Sequence, residues 1–103
     1  MASILKVTNG DTVRAKINWT NWAVDGSGEL VDPDGQSTTF TVYNGSTMAE
    51  MATGAATRES VGVYYYEYTV PAGNDSKSYV FEFTADFSAK PQLSRQRVVG
   101  RNR

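Results

Sequence analysis

The chain carries neither histidine nor cysteine. The imidazole that usually moves protons near neutral pH, the thiolate nucleophile and the strongest zinc ligands are therefore missing together. The carboxylates are what remains, eleven in all, and nearly all of them fall in turns or on the polar faces of strands. A glycosidase-type site needs two of them flanking one substrate bond, and no such pair stands out, so no enzymatic activity is expected. Asp25, Glu29, Asp32 and Asp34 crowd into one short stretch and could offer oxygen ligands to calcium. Asp32 and Asp34 are also turn formers and Asp25 precedes a glycine, so the expectation is turn structure, with no bound metal and no cofactor. Gly26-Ser27-Gly28 lacks the spacing and the following helix of a phosphate-binding loop.

The side chains best suited to chemistry of contact are aromatic and basic. Trp19 falls on the apolar side of its segment, as do Tyr64, Tyr66 and Tyr68, and these are expected in the core. Trp22 and Tyr65 are left for the surface, and Arg95, Arg97, Arg101 and Arg103 cluster near the C-terminus with no acid among them. That cluster reads either as a solvated edge strand and tail or as contact with an acidic neighbouring surface. Trp22, Tyr65, Arg97 and Arg101 are the candidate partner-contact residues. Exposed aromatics also suit stacking on sugar rings, which keeps a glycan-binding module as an alternative, but a partner protein accounts for them equally well.

These residues must be positioned by strands, because two-residue alternation recurs along the chain and no long helical spacing does. Val13, Ala15, Ile17 and Trp19 alternate with Arg14, Lys16 and Asn18. Ile4 to Val7 forms an apolar run before Thr8-Asn9-Gly10-Asp11, which predicts a small hairpin or a strand switch. Asp32-Pro33-Asp34-Gly35 is a turn, with aspartate bonding forward to the backbone. Thr38 to Tyr43 is a strand, and residues 47–57 read as an edge strand. Val63 to Val70 places Tyr64, Tyr66, Tyr68 and Val70 on one face and is predicted to be central, forming a hairpin with Ser78 to Ala85, where Tyr79, Phe81 and Phe83 alternate. The last segment begins at Pro91. The sum is an all-β, immunoglobulin-like β-sandwich of about seven antiparallel strands.

A chain of 103 residues, 40% hydrophobic, fits one such domain over residues 1–103, with a short basic tail at about 100–103. Without cysteine the fold cannot rest on disulfides, which suits synthesis in a reducing cytoplasm. The first residues do not read as a signal peptide, and no apolar run approaches a membrane span. A formal charge of −1 provides no general field for a polyanion, so neither nucleic acid nor a membrane is an expected partner.

Between Val31 and Ala85 the chain resembles small immunoglobulin-like virion proteins of tailed bacteriophages. The matching residues are Asp32-Pro33-Asp34-Gly35, Phe40-Thr41-Val42-Tyr43, Gly62-Val63-Tyr64 through Pro71-Ala72, and Tyr79 to Phe83. The chain departs from many of these proteins in carrying Asn44-Gly45 where they have a second Asp-Pro-like turn. The resemblance implies a virion structural protein, made in the host cytoplasm, that decorates the capsid or sits in the neck or tail. Its partner would be the major capsid protein or another virion structural protein, reached through the Ile4 to Val7 segment or the arginine arm. Homo-oligomers are compatible with the exposed β-edges. The family brings no catalytic residue.

Overall fold

The computed structural model describes residues 4–20, 28–73 and 77–101. The described residues form eight strands: β1 (Ile4–Thr8), β2 (Thr12–Asn18), β3 (Thr39–Asn44), β4 (Glu50–Ala55), β5 (Thr57–Ser60), β6 (Val63–Thr69), β7 (Lys77–Phe87) and β8 (Lys90–Arg101). They form a five-stranded sheet in the order β1-β8-β7-β3-β4 and a three-stranded sheet in the order β2-β6-β5. This is an all-β sandwich. Its β8-β7-β3 and β2-β6-β5 groupings follow the G-F-C and B-E-D arrangement of immunoglobulin-type sandwiches.

Alternation explains which face of each strand is buried. Phe40 and Val42 from β3 and Tyr79, Phe81, Phe83, Ala85 and Phe87 from β7 point inward. They meet Ala15 and Tyr64 from the smaller sheet, with Trp19 and Val70 just past the ends of β2 and β6. Aromatic rings join the layers: Phe40 stacks on Tyr66 with centroids 4.7 Å apart, and Tyr68 meets Phe81 edge-on at 5.7 Å. Such pairs add about 0.5–1.5 kcal/mol beyond the area they bury. Trp19 donates its indole N–H to Thr38 Oγ1 at 3.0 Å, which satisfies the one polar atom of a buried ring.

The expected sandwich of about seven strands is present, with eight strands among the described residues, and one pair, β1 with β8, is parallel rather than antiparallel. The segment after Val7 is the strand switch and not a hairpin: Gly10, at φ 90°, lets the chain cross from one sheet to the other. There the Asn9 N–H donates to Arg101 O and the Gly10 N–H to Val70 O. β6 and β7 form no hairpin, because β6 lies between β2 and β5 while β7 lies between β8 and β3. Both strands carry an aromatic face, and placing them in opposite sheets turns those faces toward one another across the core. β8, finally, is an edge only before Arg97; from Arg97 onward it lies between β1 and β7.

β7 forms its hairpin with β8 instead, closed by the two-residue turn Ser88-Ala89 between the paired Phe87 and Lys90. Both turn residues have positive φ, 53° and 64°, as the favoured hairpin turns of this length require, although neither is glycine or asparagine. Asp34 compensates. Its carboxylate accepts the Ser88 N–H at 3.0 Å and the Ala89 N–H at 2.8 Å, and these bonds hold its pKa below the ordinary carboxylate value. The aspartate expected to serve its own turn thus serves another one.

Candidate protein-contact face

Residues paired directly across a ladder point to the same side of a sheet, so the registers define the outer face of the five-stranded sheet. Arg97 pairs with Val80, which pairs with Tyr43; Arg95 pairs with Glu82, which pairs with Thr41. Leu93 pairs with Thr84, and Lys6 of β1 stands beside Val99. The face therefore has Val80, Glu82 and Thr41 in its middle and a basic flank along β8.

Glu82 lies within this face and is only 6% exposed. A carboxylate there needs hydrogen bonds in place of water. Arg95 Nε donates to Oε2 at 2.6 Å and the Tyr43 hydroxyl donates to Oε1 at 3.2 Å. Loss of solvent, reinforced by the Glu82 charge, raises the Tyr43 pKa above that of a free phenol. Thr41 and Thr53 share a hydroxyl hydrogen bond at 3.1 Å farther along the sheet. With Arg95 committed to Glu82, Arg97 and Arg101 stand exposed and pair with no carboxylate among the described residues. Four residues of strand separate them, roughly 13 Å. Leu93, 58% exposed, adds an apolar anchor at the far end of the same stripe.

Of the expected contact residues, Arg97 and Arg101 share this face. Tyr65 does not: it belongs to β6, pairs with Lys16, and lies on the outer side of the smaller sheet. It is half-buried there, with the Arg14 guanidinium 4.2 Å above its ring, so it is no open stacking platform. Trp22 and Asp25 lie outside the described residues. Sequence reasoning passed over Glu82, Tyr43, Leu93 and Lys6. Arg95 and Leu93 alternate with Arg97 and so were within reach of the periodicity; Glu82 and Tyr43 needed the cross-strand register.

The acidic stretch is dispersed by the fold. Asp32 Oδ1 accepts from Arg58 Nε at 3.1 Å, the Gly62 N–H at 2.9 Å and the Tyr64 hydroxyl at 3.0 Å, while Oδ2 accepts from the second Arg58 nitrogen at 2.8 Å. Arg58 foremost, then the Gly62 amide, lowers the Asp32 pKa to about 2. Burial, and then the Asp32 carboxylate, raises that of Tyr64 to about 12. Asp34 is bound to the Ser88-Ala89 turn. No cluster of three or more potential metal ligands occurs among the described residues. A depression of about 590 Å³ between Asn44, Ser46, Lys77 and Ser78 brings hydroxyls and one amine together without a carboxylate among its described lining. No protein-family profile, curated protein or solved structure matches the chain.

Proposed function

We propose that this chain is a non-enzymatic structural subunit of a tailed-bacteriophage virion, a capsid decoration or minor head protein. It binds the major capsid lattice through the outer face of its five-stranded sheet. The observation that carries this reading is the stripe on β8, where Arg97 and Arg101 stand uncompensated among the described residues beside the exposed Leu93. A polar rim around an apolar anchor is the usual anatomy of a protein contact. The resemblance of the Val31 to Ala85 stretch to phage virion proteins supports the assignment. Many copies on a lattice would add avidity to modest individual contacts.

The test is to mix purified protein with capsids lacking it and to measure occupancy by cryo-electron microscopy at several salt concentrations. Saturable, ordered density on the head is expected, weakening as salt rises because the contact is basic. Arg97→Glu with Arg101→Glu should lower occupancy at least about tenfold with stability within about 0.5 kcal/mol of wild type, as for exposed substitutions generally. Absence of binding under every condition would overturn the head assignment and leave the neck or tail, or a cell-surface glycan.

A further inference from the structure

The three-stranded sheet ends at β2, which pairs with β6 on one side and with no strand on the other among the described residues. The Thr12–Asn18 edge therefore offers a row of backbone donors and acceptors. It faces a groove with two adjoining compartments. One, about 440 Å³, lies between Leu5–Thr8 and Asp11–Arg14; the other, about 290 Å³, lies between Arg14–Ile17 and the inner sides of β7 and β8. Leu5 and Arg14 line both. Consecutive β2 residues border each compartment, and because side chains alternate along a strand, the wall they form is the backbone edge itself.

The groove mixes apolar and polar lining, with its apolar side chains gathered in the second compartment. Ala15, Ile17, Phe81 and Phe83 line the second compartment, and Leu5 stands 43% exposed between the two. β1 covers β8 only from Arg97 onward. Before that point Ser94 and Gln96 lie beside Phe81 and Phe83, polar side chains on the core side of a strand. Of the charged residues lining the two compartments, Lys6, Arg14, Lys16 and Arg95 are cations and Asp11 is the one acid; Glu82 takes up Arg95, which leaves Lys6, Arg14 and Lys16 on the rim.

We propose that this groove accepts an extended segment of a partner protein, which adds to β2 as a further strand of the smaller sheet, and that the segment alternates apolar with acidic residues. Strand addition supplies main-chain hydrogen bonds, while side-chain pockets select the sequence. Inward residues of the added strand would meet Leu5, Ile17 and Phe81. Outward residues would stand opposite Arg14 and Lys16, and opposite charges directly across a ladder attract. Each of these cations already has one carboxylate, Glu67 at 2.8 Å and Glu59 at 3.1 Å, but a guanidinium and an ammonium keep further donors for a second. A second copy of this chain is a poor occupant, because antiparallel pairing of two β2 strands about Ala15 sets Arg14 against Lys16. The inference concerns a different surface from the β8 stripe and stands independently of the virion reading.

The test uses the whole chain and two blocked seven-residue peptides, one alternating valine with glutamate and one alternating valine with lysine. The glutamate peptide should bind saturably, about tenfold more tightly than the lysine peptide, and should slow amide hydrogen exchange in residues 12–18. The Arg14→Glu, Lys16→Glu double variant, checked for an unchanged melting transition, should reverse the preference. If that variant fails to fold, Ile17→Arg serves in its place and should abolish protection by the glutamate peptide. Equal affinity for the two peptides, protection confined to another strand, or protection of residues 12–18 in a peptide-free dimer would each overturn the proposal.

Discussion

Glu82 and Arg95 face one another across the β7–β8 ladder, with Arg95 Nε 2.6 Å from the carboxylate of a side chain that is itself only 8% exposed. The arginine is half exposed and supplies in place of water the hydrogen bond that the carboxylate requires. Arg95→Ala should therefore lower stability by about 1–3 kcal/mol, the cost of leaving a buried acceptor short of a charged donor. Glu82→Gln in the same background should recover part of the loss, because an amide is cheaper to bury than a carboxylate. Urea unfolding of both variants measures the difference.

The Ser88-Ala89 turn holds two residues at positive φ, where a Cβ costs about 1–2 kcal/mol. Ala89→Gly removes that cost at one position and adds back some backbone entropy, so a net gain of about 0.5–1 kcal/mol is expected. Asp34→Ala should act in the opposite direction, by freeing the Ser88 and Ala89 amides. Thermal melting of the two variants in one buffer should give shifts of opposite sign.

Asp32 and Tyr64 add pH-dependent stability at opposite ends of the pH scale. Asp32 titrates at about 2 rather than at its ordinary 3.8, so its contribution is complete above pH ~4 and is lost as pH falls toward 2. Tyr64 titrates at about 12 rather than 10, so its contribution is complete below pH ~10 and is lost as pH rises toward 12. Asp32→Asn should flatten the acid limb of a stability-against-pH curve, and Tyr64→Phe the alkaline limb. Chemical denaturation at a series of pH values resolves the two limbs.

Gly62 sits at φ 72°, and a Cβ there would stand 2.8 Å from Trp19 O and from Val31 N. Both are backbone atoms of segments already joined by the Trp19 N–H to Gly62 O and Val31 N–H to Trp19 O hydrogen bonds. Gly62→Ala should destabilise by at least about 2 kcal/mol, from the left-handed backbone and the overlap together. The near-ultraviolet signal of Trp19 should change with it.

The strands were legible because one physical requirement, a buried face on every second residue, is written locally. Val13, Ala15 and Trp19, or Tyr79, Phe81 and Phe83, declare it without reference to any other part of the chain. Sheet membership is not local. The turn after β6 reads the same whether the chain folds back beside β6 or crosses to the opposite sheet, and β6 and β7 were accordingly placed in one hairpin when they belong to two sheets. The β7–β8 turn was hidden for another reason: Ser88-Ala89 lacks the usual turn residues and relies on Asp34, 54 positions away from Ser88. The proposed contact face is half visible in the sequence. Arg97 and Arg101 share a parity, but parity does not reveal that Tyr65 lies on the other side of the sandwich.

The parallel pairing of β1 with β8, from Ile4 beside Arg97 to Thr8 beside Arg101, has a mechanical meaning. The two strands run the same way, so β1 enters the ladder at the end opposite to the one from which β8 leaves. Tension applied between Ile4 and Arg101 pulls the strands lengthwise past one another. It loads the bonds of the ladder together, in shear, whereas a hairpin pulled at its open end yields one bond at a time. Force applied along this axis would meet the ladder in its resistant direction.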